Sequence, residues 1–131
     1  MAFAADLAKL CARAGDRADH VVRSTALGLQ SGMVERTPVD TGRAKNNWQC
    51  GVGAVDFSAN EAPDRAGGGA ISRTAAALEA WRPGRSIHLT NSMPYAQALE
   101  DGSSRQAPYG MVKLTVQAYG DAFARAVAEL K

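Results

Sequence analysis

The chain has 131 residues, 46% hydrophobic and 21% charged, a composition that supports one modest core and a single domain over 1–131. Its 15 basic and 13 acidic residues leave a formal charge of +2 with no basic block, so sequence-independent grip on nucleic acid is not expected. The opening ten residues lack a basic run and are interrupted by Asp6 and Lys9, which excludes a secretion signal or membrane span and predicts a protein made in the cytoplasm.

Apolar or small residues at 7, 10, 11, 14, 18, 21, 22, 25, 29 and 33 keep a three-four spacing that predicts one helix over 4–36. At 1.5 Å per residue it is about 50 Å long, more than a domain of this size needs, so part of it is expected to pack outside its own fold. Gly15, Gly28 and Gly32 each weaken it by up to about 1 kcal/mol relative to alanine, leaving room for a bend or break near Gly28. Cys11 on this helix and Cys50 further on are expected to be reduced, buried small hydrophobes.

Thr37-Pro38 ends the helix, because proline forces the preceding residue out of helical geometry. After a turn at Asp40–Gly42, residues 46–55 alternate as a half-buried strand, with Trp48, Cys50 and Val52 inward and Asn47, Gln49 and Gly51 outward. Residues 56–70, ending in Gly67-Gly68-Gly69, show no apolar period and read as a flexible loop. Ile71, Ala75, Leu78 and Trp81 predict a helix over 71–81, stopped by Pro83-Gly84. Ser86 to Thr90 alternates again as a second strand, Ile87 and Leu89 inward, His88 and Thr90 outward.

Pro94 and Gly102 then bracket a short helix over 94–100 with a buried stripe of Tyr95, Ala98 and Leu99. A polar loop over 101–107 leads to a C-terminal helix from Pro108, marked by Val112, Val116, Tyr119, Phe123, Val127 and Leu130. Residues 113–116, rich in Val and Thr, fit a strand as well. The fold class that results is α+β: a long N-terminal helix, a small antiparallel or mixed sheet, and shorter helices with a C-terminal helix packed on it.

Asp40-Thr41-Gly42 is the tripeptide that carries the carboxylate of aspartic proteases, where two such loops meet and share a proton. Here a long helix precedes it, and Arg36 and Arg43 flank it, where a guanidinium opposes proton sharing. A turn accounts for the residues better: Asp40 or Thr41 hydrogen-bonds backbone two residues on and Gly42 takes a positive φ. Cys11, His20, Cys50 and His88 match no zinc spacing, no serine lies in a nucleophile elbow, and the triple glycine lacks the lysine of a phosphate loop and reads as a flexible link. No catalytic residue, metal or cofactor is expected.

Two phrases in fixed order remain, Thr37-Pro38-Val39-Asp40-Thr41-Gly42-Arg43 followed by Trp48, and Ile87-His-Leu-Thr-Asn-Ser with Pro94-Tyr95-Ala-Gln-Ala-Leu99-Glu100, Gly102 and Ala107-Pro108. From about residue 20 onward the chain resembles the family of small siphophage tail components at the head-to-tail junction, the tail completion or neck proteins. Two departures are Asp101 before Gly102, where relatives often carry an aromatic residue, and Ala44 after Arg43 in place of a larger hydrophobe.

The resemblance implies a virion structural protein of a long-tailed bacteriophage and no enzyme. It implies a homo-oligomeric ring, of six copies, joining the tail tube to the head connector, with DNA passing through the lumen unbound. Head-closure, tail terminator and tail tube proteins would be its neighbours, and no membrane is involved. A tail terminator ring is the alternative, and a dimeric aspartic-type hydrolase using Asp40 the remaining one. Arg36, Thr37, Pro38, Asp40, Thr41, Gly42 and Arg43 are expected to form a shaped turn, with Arg43 pairing Asp40 or Glu100. Leu89, Pro94, Tyr95, Leu99 and Gly102 are expected at the core of the second motif, with Trp48 joining Leu89, Tyr95 and Leu99 between sheet and short helix, and the loops 56–70 and 101–107 to order on assembly.

Overall fold

One uninterrupted helix, α1 (Ala2–Arg36), supports the rest of the chain in the computed structural model, which describes residues 2–60 and 62–130. Residues 3–18 of α1 are exposed on every side, and only its second half, from Thr25 and Ala26 to Gln30, Met33 and Val34, enters the core. The helix runs unbroken through Gly28, and Gly28 and Gly32 are contact points: a Cβ on either would stand 3.3 Å from Ala122 or Thr115 carbon atoms. Cys11, expected buried, is exposed with the free half of the helix. Cys50 is half-buried, and burial, aided by the Asp56 carboxylate, pushes its thiol above the ordinary range.

A short 3-10 turn (Lys45–Asn47) leads into β1 (Trp48–Val52), followed by α2 (Gly68–Glu79), β2 (Ile87–Asn91), α3 (Ala96–Glu100), α4 (Val112–Gln117) and α5 (Tyr119–Ala128). The fold is α+β, and the sheet is an antiparallel pair with Trp48 opposite Asn91, Cys50 opposite Leu89 and Val52 opposite Ile87. Helix α2 connects the two strands and packs on both α1 and β1. Met33, Val34, Trp48, Ala70, Ala107 and Met111 form the core, with Ile71, Leu89 and Leu99 against it.

The face of β1 expected outward is covered. Gln49 and Gly51 are buried because residues 53–58 fold back across the strand, where the Asp56 carbonyl accepts the Thr90 hydroxyl at 3.1 Å. Gln30, fully buried on α1, donates from its amide to the Gln49 carbonyl at 3.2 Å and the Thr74 hydroxyl at 3.1 Å, tying helix, strand and α2 together. At the far end of α2, Arg23 donates to the Leu78 and Trp81 carbonyls at 3.1 and 2.7 Å, tying α1 to that helix end. Its guanidinium lies 5.5 Å from the Trp81 ring centroid.

The start of α2 corrects the reading of 56–70 as a loop ending in a flexible glycine link. Gly68 and Gly69 are helical, and Gly67 has φ 80° where a Cβ would strike Val34, so the glycines let α2 press onto α1. The Asp64 carboxylate caps this start, accepting the Gly67 N–H at 3.0 Å and the Gly69 N–H at 2.7 Å. Those two bonds, Gly69's the stronger, hold its carboxyl below the usual aspartate range. A depressed folded value means this stabilisation is present above the unfolded pKa of about 3.9 and is lost as pH falls through the folded value. Asp64→Asn is therefore expected to flatten the fall in stability below about pH 4, read as the acid limb of urea midpoints against wild type; an unchanged acid limb would remove Asp64 from the account.

The C-terminal segment, expected as one helix from Pro108, forms two, with Ala118 (φ −90°, ψ 10°) between α4 and α5. Residues 113–116 are helical. Thr115, Ala122 and Ala126 face α1, whose glycines admit only small partners at such close approach. The large residues whose period marks the segment as helical, Val112, Val116, Tyr119, Phe123 and Val127, stand 38–62% exposed.

Candidate functional site

The first motif is folded by short-range bonds. The Thr37 hydroxyl donates to the Met33 carbonyl at 2.6 Å, closing the last turn of α1, and accepts the Trp48 indole N–H at 2.7 Å. Thr41 takes the Arg43 N–H at 3.2 Å, the two-residue bond by which a hydroxyl shapes a turn. Gly42 has φ 91°, and its carbonyl accepts the Asn46 and Asp64 N–H groups, both at 3.1 Å. Asp40 is exposed, and its carbonyl accepts the Arg65 guanidinium. Arg36 belongs elsewhere: its side chain donates to the Thr115 hydroxyl at 3.1 Å and ties the end of α1 to α4.

Beneath this turn, two buried asparagines hold the segment before α2. The Asn47 amide donates to the Arg43 and Asn60 carbonyls at 2.7 and 2.8 Å, and its oxygen accepts the Asn60 N–H at 2.6 Å. Asn46 donates to the Ala62 carbonyl at 2.7 Å and receives Arg73 at 3.1 Å. Their sequence signal is a pair of poor strand formers standing at the threshold of an apolar strand.

The second motif departs from its expected packing. Pro94 and Tyr95 form an exposed turn before α3, Tyr95 being 40% exposed, and Met93 takes the buried place assigned to the tyrosine. Ala98 is exposed as well, and Leu99 alone of the predicted stripe reaches the core. Gly102 stops α3 as expected, with φ 91°, its N–H on the Leu99 carbonyl and the Ser103 N–H on that of Ala98, each at 3.1 Å. The Glu100 carboxylate caps α4, accepting N–H groups of Met111, Val112 and Lys113 at 2.8–3.3 Å, where the helix end carries partial positive charge.

The two motifs, half a chain apart, meet. Gln106 acts as a one-residue strand partner for Val39, accepting its N–H at 2.8 Å and donating to its carbonyl at 3.0 Å. Asn91, at the end of β2, donates to the Ala44 carbonyl at 2.9 Å. Between them lies an open groove of about 480 Å³, walled by Pro38 to Ala44 on one side and by Tyr95, Leu99, Ser104 and Gln106 on the other. Among the described residues lining it Asp40 is the sole carboxylate, beside the hydroxyls of Thr41, Tyr95 and Ser104. His20 instead meets Glu129 at 3.0 Å and His88 meets Ser86 at 2.9 Å. Among the described residues no three His, Cys, Asp or Glu side chains are placed to hold a metal, and no helix is long and apolar enough to cross a membrane. Compared with known proteins, the chain matches no family, no curated protein and no solved structure.

Proposed function

We propose that the chain is a structural subunit of a long-tailed bacteriophage, forming a ring that completes the tail and joins it to the head connector. The observation that carries this reading is the convergence of the two motifs on one groove. The residues behind the family resemblance are thereby neighbours in space, held by the Val39–Gln106 and Ala44–Asn91 bonds. Exposed apolar stripes on α1 and on α4–α5 support an assembly role, since contiguous apolar surface marks sites that another protein covers. A near-balanced charge suits a lumen through which DNA slides, where a basic lining would hold phosphates. In such a ring the groove is a wall of the junction, with Thr41 shaping its turn and Asp40 exposed beside it.

Electron microscopy of particles made without the gene tests the proposal. Complete tails and filled heads that fail to join are expected. Overlong tail tubes would reassign the protein to the terminator position, and normal infectious particles would overturn the virion role altogether.

A further inference from the structure

The stripe on α1 that receives α5 does not stop where α5 stops. Glu129, at the end of α5, bonds His20 and Ser24 of α1 at 3.0 Å, so residues 3–18 extend past it, exposed throughout among the described residues. Phe3, Leu7, Leu10, Ala14 and Ala18 continue the line of Val21, Thr25, Gly28 and Gly32, the last two lying against Ala122 and Thr115. Half of one helical face is thus covered by α4–α5, and half is bare.

The second bare surface is the outer stripe of α4–α5. Its residues, 112, 116, 119, 123 and 127, follow the same succession of steps as 3, 7, 10, 14 and 18: four, three, four, four. The stripe on α1 is about 22 Å long at 1.5 Å per residue, and the other is carried by two helices that meet at Ala118. Phe3, Leu7 and Leu10 are 49–77% exposed on one and the five large residues 38–62% on the other. That is roughly 500 Å² on each surface, the size of a functional patch, and about 1,000 Å² when the two are joined, the area at which a specific interface begins. Residues 3–18 lack the tertiary packing from which most helical stability in proteins comes, and a partner along the bare half of α1 supplies it.

We infer that the bare half of α1 packs along the outer α4–α5 stripe of a second copy of this chain, head to tail. The two stripes of one molecule cannot meet, because α1 is unbroken and leads away from α5. A second copy supplies both surfaces at once, and each molecule then has one donor and one acceptor face. Such a heterologous contact makes rings or open filaments. The inference deepens the ring reading by naming the joint between subunits, and it rests on that reading only for closure into a ring.

Two variants test it in solution, separately from the virion experiment. Leu7→Glu with Leu10→Glu blocks the helix tip, and Val116→Glu with Phe123→Glu blocks the stripe; all four positions are exposed and glutamate suits a helix, so circular dichroism should match wild type. In sedimentation velocity the wild type is expected to form oligomers that grow with concentration, and each variant alone to stay monomeric. Mixed in equal amounts, the variants should form a dimer and nothing larger, since one tip and one stripe remain intact. Wild type that is monomeric at every concentration, or a mixture that stays monomeric, overturns the inference. A stripe variant that still dimerises overturns it in favour of tip-to-tip pairing.

Discussion

Replacing Trp48 by alanine is expected to cost about 3–5 kcal/mol of unfolding free energy, the range for emptying a large aromatic site in a core. Trp48 is 3% exposed at the centre of the cluster that joins α1, β1, α2 and Met111. Its ring fills the space, and its N–H completes the Thr37 hydroxyl, which keeps its own donation to Met33 whether or not the indole is there. Trp48→Phe should therefore cost much less, about 1–2 kcal/mol, for a lost neutral hydrogen bond and a smaller void. Urea titration followed by circular dichroism measures both. A loss below about 1 kcal/mol for Trp48→Ala would mean that the core does not depend on this ring.

Gly42→Ala should be comparably damaging, about 3 kcal/mol or more, for two separable reasons. The residue sits at φ 91°, and a Cβ there would stand 2.5 Å from the Arg65 nitrogen and 2.6 Å from the Asp64 carbonyl carbon. Backbone cannot swing aside as a flexible side chain can, and Asp64 is fixed by its bonds to Gly42 and to the start of α2. Gly53 is the control. Its φ is 83°, but the nearest atom to an added Cβ is the tip of Arg85 at 3.8 Å. Gly53→Ala should cost only the left-handed penalty of about 1–2 kcal/mol, and equal losses at the two sites would show that contact with Asp64-Arg65 contributes nothing.

The elements with strong periodicity were readable from the residues: α1, the two strands, α2 and the stop at Gly102. Less readable was the choice of buried face. On α4–α5 the large residues carry the period while Thr115, Ala122 and Ala126 carry the contact, because α1 offers glycines and closeness favours small partners. At Tyr95 a tight turn and a five-residue helix leave little stripe to bury, and Met93 lies nearer the core. The segment before α2 has almost no apolar residues, so a reading based on hydrophobic pattern could not see that Asn46, Asn47 and Asp64 hold it by backbone bonds. The groove itself was half legible: both motifs could be named, but the Gln106 amide that clasps Val39 lies outside the phrases that drew attention.

Helix α1 has a mechanical consequence. It is a helix of 35 residues, bare over 3–18 and packed at its base, where Met33 and Val34 bear on Trp48 and the Thr37 hydroxyl bridges Met33 and Trp48. A sideways load taken at Leu7 or Leu10 is met first where α1 enters the body, at His20 and Ser24 on Glu129 and at Arg23 on the Leu78 and Trp81 carbonyls. A contact made at the tip therefore bears first on the far ends of α5 and α2, and the first motif lies behind the whole packed half of the helix.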